Sequence, residues 1–257
     1  MFIESKKTSY RYLKTLGCLL FICSQTDAAT LTFKADEWCP YNCNPNDSQK
    51  PGFIVELLQA IFAIHGHRIA YTTDNFENSL IQARSGQITG VIGVVRREAP
   101  DFIFPEVEQG ISRVCVFVNS DKVFEYHSPK DLELLAKVGA VKGYYYGESI
   151  LQIQKKHPKN FKLVDGKLPT TELIELLKSK NIDAILENYF VMKNRIHDKP
   201  EPIRLAGCEK EKQVFVAFGP TDQNRIYAKI LSDGIAQFRG NKKIQFILSK
   251  YGLSDWK

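Results

Sequence analysis

Two arginines, Arg96 and Arg97, follow directly on Gly90-Val91-Ile92-Gly93-Val94-Val95, a run that is apolar at every non-glycine position. Such a run reads as a strand covered on both faces, as in a parallel sheet. Cations at the carboxyl end of a buried strand stand where open α/β sheets bind their ligands. The chemistry this permits is retention of a small anionic or zwitterionic solute. A second strand, Ile182-Asp183-Ala184-Ile185-Leu186, ends in Glu187-Asn188, and a third runs into the turn Lys142-Gly143-Tyr144-Tyr145-Tyr146-Gly147. Polar and aromatic side chains therefore collect at three strand ends.

Trp38-Cys39-Pro40-Tyr41-Asn42-Cys43 places two cysteines four apart in a turn-rich stretch. In an oxidising compartment this spacing favours a local disulfide, which closes a small loop, contributes little stability and fixes the direction of Trp38 and Tyr41. Two sulfurs without a second ligand pair do not make a zinc site. Cys115 and Cys208 are left either paired or free. His65, His67, His127, His157 and His197 lie apart in loop or helix-end contexts and read as structural or exposed. No phosphate-cradling glycine loop and no His/Cys/carboxylate cluster is present, so neither a cofactor nor a metal is expected.

The elements that must position these residues alternate. Thr30 to Asp36 alternates apolar and polar as a first strand, a Pro- and Asn-rich loop follows to Pro51, and Gly52 to Phe62 carries apolar residues at helical spacing. Arg68 to Thr72 is a second strand, and Asp74-Asn75-Phe76 leads into a helix that ends at Gly86. Strand, helix, strand, helix, strand is the pattern of a parallel sheet. After the strand Arg113 to Asn119 the pattern restarts: a helix start at Ser128-Pro129, strand Val138–Val141, helix Glu148–His157, strand Phe161–Val164, helix Thr170–Ser179 and the strand before Glu187. Gln213 to Phe218 is a further strand, and Asn224–Arg239 and Lys243–Tyr251 are closing helices.

With 257 residues the chain suffices for one large domain or two small ones. Its formal charge is +6, with Lys and Arg interleaved among Asp and Glu rather than gathered in a stripe, which argues against nucleic-acid binding. Residues 1–29 read as a secretory signal peptide: basic residues first, then Leu16 to Cys23, then Ala28-Ala29. The apolar stretch is too short to span a bilayer. The expectation is an exported periplasmic protein, monomeric, with four cysteines after cleavage.

The order of these parts resembles the family 3 extracytoplasmic solute-binding proteins of polar amino-acid ABC transporters, over about residues 31–256. The matching stretches are Gly52-Phe53-Ile54-Val55-Glu56-Leu57, Gln82-Ala83-Arg84-Ser85-Gly86, Ala99-Pro100-Asp101-Phe102-Ile103-Phe104-Pro105, Asp183-Ala184-Ile185-Leu186-Glu187-Asn188 and Ile247-Leu248-Ser249-Lys250-Tyr251-Gly252-Leu253. The resemblance implies an α/β, two-lobed periplasmic-binding-protein-like fold of type II. Each lobe has a central sheet flanked by helices, and a two-strand hinge joins them. Lobe 1 would be 30–118 plus 214–257 and lobe 2 119–213, with crossings at Phe117-Val118-Asn119 and near Gln213-Val214-Phe215.

The same resemblance implies a site. An arginine after the Val91 strand would pair with the ligand's carboxylate, with the register open between Arg96 and Arg97 and Arg96 favoured; a guanidinium fork matches two oxygens at once. Gly93 and Val94 would offer backbone groups. Trp38 or Tyr41 and Phe76 would sandwich the ligand. Gly143, Tyr144 and Tyr145 stand where the family has a Gly-Thr-Thr turn whose N–H groups meet a carboxylate. Asn188, with Glu187 beside it, stands where the family has an aspartate for the amino group. The implied function is capture of a small polar solute, an amino acid foremost, and its delivery to an ABC transporter permease. The alternatives are an exported cyclohexadienyl-dehydratase-like lyase, suggested by Tyr144 to Tyr146 and Glu187, and a stand-alone sensor domain for a membrane signalling partner.

Overall fold

The computed structural model of the chain describes residues 1–2, 28–46, 49–198 and 201–257. The signal-peptide reading rests chiefly on residues 3–27 and lies outside the described residues. Among the described residues no helix is long and apolar enough to cross a membrane.

The elements run β1 Thr30–Ala35, α1 Phe53–Ile64, β2 Arg68–Thr73, α2 Phe76–Arg84, β3 Gly90–Val94, β4 Gly110–Ser112 and β5 Val114–Asn119. They continue with β6 Val138–Val141, α3 Glu148–Lys156, β7 Phe161–Val164, α4 Pro169–Lys178, β8 Ala184–Asn188 and α5 Tyr189–Asp198. The last are β9 Ile203–Cys208, β10 Lys212–Phe218, α6 Asp222–Gly240 and α7 Lys243–Ser249. The helix start at Ser128-Pro129 becomes a short 3₁₀ segment, Pro129–Leu134, whose capping box is made by Ser128 and Asp131.

The strands form two five-stranded sheets, β2-β1-β3-β10-β4 and β7-β6-β8-β5-β9. In the first sheet β1 pairs in parallel with β2 and β3, and β10 returns antiparallel to β3. In the second, β6 pairs in parallel with β7 and β8, and β5 lies antiparallel between β8 and β9. Each sheet has its own core. Phe33, Ile54, Leu57, Leu58, Ile61 and Ile92 pack with α6 residues Leu231 and Ile235 in one. Val116, Val138, Leu186 and Ile150 pack on one face of the other, and Ile185, Leu173 and Leu177 on its opposite face. This is a mixed α/β protein of two sheet-and-helix lobes.

The crossings differ from the expected ones. β5 was expected to belong to the first lobe as far as Val118, but both of its edges pair with strands of the second sheet. The chain therefore leaves the first sheet at Arg113, between β4 and β5, and returns between Cys208 and Lys212. The cause is the strand's own composition: Val114 to Val118 is buried throughout, which an exposed linker would not tolerate. Both cysteine pairs are bonded, Cys39 to Cys43 and Cys115 to Cys208. The second bond joins β5 to β9 beside both crossings.

Candidate functional site

The facing strand ends of the two sheets form a crevice, and the first-sheet wall is built by the Trp38 turn. Trp38 and Asn42 bridge one another, and the turn is tied by the Cys39–Cys43 bond. Trp38 and Tyr41 stack with ring centroids 4.1 Å apart and planes 21° from parallel. Asn42, wholly buried, donates to the Asp36 carbonyl at 2.6 Å and to Tyr71 Oη at 3.1 Å. At the end of β3, Gly93 has φ +83, and a Cβ there would meet the Trp38 ring at 3.2 Å. Only glycine lets the indole lie flat against this strand.

The second-sheet wall is the Gly143 to Tyr146 turn and the end of β8. Gly143 is in the left-handed region at φ +84, which brings the tyrosines round to face the first lobe. Asn188 Nδ2 donates to Ser112 at 2.8 Å and to Tyr41 Oη at 3.2 Å. The Asn188 carbonyl oxygen of the side chain accepts from the N–H groups of Phe190 and Val191, capping α5.

The walls are closed on each other. Tyr144 donates its hydroxyl to Asp36, and Trp38 Nε1 donates to Glu187 at 3.2 Å. Glu98 bridges the gap, accepting the Val95 N–H from its own lobe and the Tyr145 N–H from the other, both at 2.7 Å. Lys212 donates to the Tyr146 carbonyl at 2.9 Å. At the rim, Arg97 pairs with Glu148 at 2.7 Å and Lys142 with Glu77 at 2.6 Å. Among these contacts lies a cavity of about 30 Å³, lined by Trp38, Gly93, Glu98, Tyr144, Tyr145 and Glu187 among others, with room for about two waters. A larger opening of about 810 Å³ lies between the lobes beside it, lined by Glu37, Cys39, Thr170, Phe190 and Tyr251 among others.

Burial shapes the acids of this crevice. Asp36 is pushed up to about 7 by loss of water and by the nearby Glu187 charge, against the Tyr144 hydrogen bond. Glu98 is likewise raised to about 7 by burial, with Asp36 adding to the rise and Lys212 opposing it. Glu187 is raised by burial, in part offset by the Asn188 N–H, Thr170 and Trp38. Tyr144 and Tyr146 are held neutral by burial and by these carboxylates.

Of the residues singled out from the sequence, Trp38, Gly93, Tyr144, Tyr145, Glu187 and Asn188 line the cavity. Tyr41 backs Trp38, and Phe76 packs edge-on against Tyr144 with centroids 5.2 Å apart. Val94 is buried among Leu80, Val91 and Phe102, and Gly143 is an exposed turn. Arg96 is drawn elsewhere: its guanidinium donates to the Pro105 carbonyl at 2.7 Å and lies over the rings of Phe215 and Phe104, at 4.2 and 5.0 Å. Arg97 is exposed in its rim ion pair. Asp36, Asn42, Glu98 and Lys212 were not singled out, and Tyr146, named with the lyase alternative, also lines the cavity. For Asp36 a signal existed, since it follows β1 as Arg96 follows β3, and the same strand-end rule covers both.

No protein-family model matches the chain. No curated relative matches it either. Solved structures do. A histidine kinase sensor domain with similarity to periplasmic binding proteins superposes with a TM-score of 0.71 at 18% identity, covering 86% of this chain and 95% of that one. An amino acid ABC transporter substrate-binding protein from Streptococcus pneumoniae, bound to L-arginine, gives 0.69 at 21%, covering 86% and 94%. An ancestral amino acid-binding protein, a precursor of cyclohexadienyl dehydratase, gives 0.68 at 15%, covering 86% and 95%. The chain has the two-lobed fold of periplasmic binding proteins.

Proposed function

We propose that the chain is an exported receptor for a small polar solute, which it takes up between its lobes and presents to a membrane transporter of the ABC type. Lobe 1 is then 30–112 with 212–257, lobe 2 is 114–208, and the segments at Arg113 and 209–211 form the hinge. The observation that carries this reading is the crevice itself. Strand ends from both sheets bring carboxylates, amides and four aromatic rings to one interlobe cavity. Among similar structures, an amino acid ABC transporter substrate-binding protein is bound to L-arginine, and hinge closure around a ligand is a known use of two lobes.

A thermal-shift and calorimetric screen tests the reading. The protein is unfolded and refolded to strip any solute, then titrated with amino acids, amines and dicarboxylates. Ligand that binds only the folded state raises the melting temperature by mass action. Saturable one-to-one binding without product supports the receptor; silence across the panel ends it. A second reading, a lyase on the same scaffold, draws support from Asp36 and Glu98. Each is raised to about 7, where a carboxyl can work as a general acid or base. Prephenate and arogenate returned unchanged after incubation with the protein would remove it.

A further inference from the structure

The crevice has an excess of negative charge that the protein does not answer. Glu98 and Glu187 line the cavity, and Asp36 stands behind Tyr144, joined to it by a hydrogen bond. Their partners are neutral donors: the N–H groups of Val95, Tyr145 and Asn188, the hydroxyls of Thr170 and Tyr144, and the Trp38 indole. Among the described residues no Lys or Arg forms an ion pair with any of the three, and the cation that opposes the rise of Glu98 is Lys212. It does so from a distance, since its ammonium is bonded to the Tyr146 carbonyl and lies over the Tyr145 ring at 4.8 Å. Buried carboxylates without a counter-charge cost several kcal/mol each if ionised. Protons make up the balance, in keeping with Asp36 and Glu98 raised to about 7 by burial.

Among the described residues, the lining of the cavity holds no cationic fork for a carboxylate. Arg96 is spent on Pro105, Phe104 and Phe215, and Arg97 on Glu148.

We propose that the crevice recognises an organic amine by its ammonium group, with Glu98 and Glu187 as the charged partners, Trp38, Tyr144 and Tyr145 as the aromatic wall, and no carboxylate required on the ligand. This rests on the solute-receptor reading and names its ligand class. An ammonium head fits both sets of groups, since carboxylates accept its hydrogen bonds and ring faces attract its charge. The head fills the present cavity, and the rest of the molecule is admitted by opening the lobes along the Tyr144–Asp36 and Trp38–Glu187 contacts. Binding then exchanges the protons on the carboxylates for the ligand's own charge.

The test pairs each amine with the amino acid that carries the same head. Refolded full-length protein is titrated calorimetrically at pH 8 with cadaverine against L-lysine and agmatine against L-arginine. Methylammonium, choline, L-glutamine, L-glutamate and succinate complete the panel. The expected result is one-to-one binding of an amine at least as tight as its parent amino acid. Glu187→Gln should weaken it about tenfold or more and Arg96→Ala less than about twofold. If Glu187→Gln does not fold, Glu98→Gln carries the same expectation. Binding confined to compounds with a carboxylate overturns the amine assignment and leaves the receptor standing. Binding of nothing in the panel overturns both.

Discussion

Replacing Asp36 with Asn should flatten an unusual pH dependence of stability. Asp36 is 2% exposed and its carboxyl is raised from 3.8 to about 7 in the folded protein. A carboxyl raised on folding holds its proton more tightly in the native state, so its stabilisation is complete below the unfolded value and is lost as pH rises through about 7. Between pH 5 and pH 8, two pH steps fall below that value, and at about 1.4 kcal/mol per step the loss is about 3 kcal/mol. Glu98, raised from 4.5 to about 7, acts with the same sign; the two raise each other, so the effects do not simply add. The groups facing Asp36 are Tyr144, Glu187, Glu98 and Asp165, and Lys212 faces Glu98. Acids of opposite sense, Asp74, Glu108, Asp183 and Asp255, are lowered and lose their contribution only in acid, outside this window. For a chain of this size 3 kcal/mol is about 6 to 12 °C in melting temperature. Melting followed by circular dichroism at fixed ionic strength should show that fall from pH 5 to 8. Asp36→Asn keeps an acceptor for the Tyr144 hydroxyl and should flatten much of it, melting above the parent at pH 8. A parent whose melting point is level or rises over this range, or a variant with an unchanged slope, refutes the argument.

A bound amine should alter that curve, because it needs ionised carboxylates: affinity for agmatine or cadaverine should rise from pH 6 to pH 8, by about tenfold if one proton is released. An affinity independent of pH would place the ligand away from Asp36 and Glu98. Arg96→Ala removes the contacts to two rings and to the Pro105 carbonyl and should cost about 1 to 2 kcal/mol in urea unfolding while sparing solute affinity. Trp38→Phe deletes the donor to buried Glu187 and trims a stacked ring, and should cost about 2 to 3 kcal/mol with looser lobe closure, read as a larger radius of gyration in solution scattering. Changing Cys115 and Cys208 together to Ser opens a closure spanning 93 residues, worth about 4 to 5 kcal/mol of unfolded-state entropy, whereas the four-residue closure of Cys39–Cys43 is worth about 2. Equal losses for the two pairs on denaturant melts would show that chain entropy is not what these bonds contribute.

The fold was legible because its signals are local. Val91 to Val94 and Val138 to Val141 are strands by unbroken apolarity, and α1 and α6 by helical spacing. β4, with three residues, and β9, half-exposed and interrupted by Gly207, carried no comparable pattern. α5 begins at the residue after β8 and was read through. The first crossing was set five residues late because the change of sheet at Arg113 falls between two strands with no Gly or Pro to mark it.

The site was only half legible, and Arg96 shows why. A strand end says that a side chain stands near the crevice, but not which way it turns. Here the choice is made by partners far away in sequence: Phe104 and Phe215, from the chain after β3 and from β10, hold the guanidinium between them. The loop from Val95 to Glu98 is short, and its N–H at Val95 is already taken by the Glu98 carboxylate. That bond turns Glu98 inward, where the Tyr145 N–H from the other lobe meets it. The same strand end therefore presents an anion to the crevice and keeps its cations outside. A sequence reading that counts charges at a strand end predicts a site for carboxylates; the packing of two phenylalanines and one four-residue loop converts it into a site from which this strand's arginines are turned away. If Phe104→Ala with Phe215→Leu frees the guanidinium, it should turn toward Glu98, and the preference for amines over amino acids should weaken by about tenfold as the charge deficit closes. An amine preference that survives the change would mean that the rings, and not the carboxylates, select the ligand.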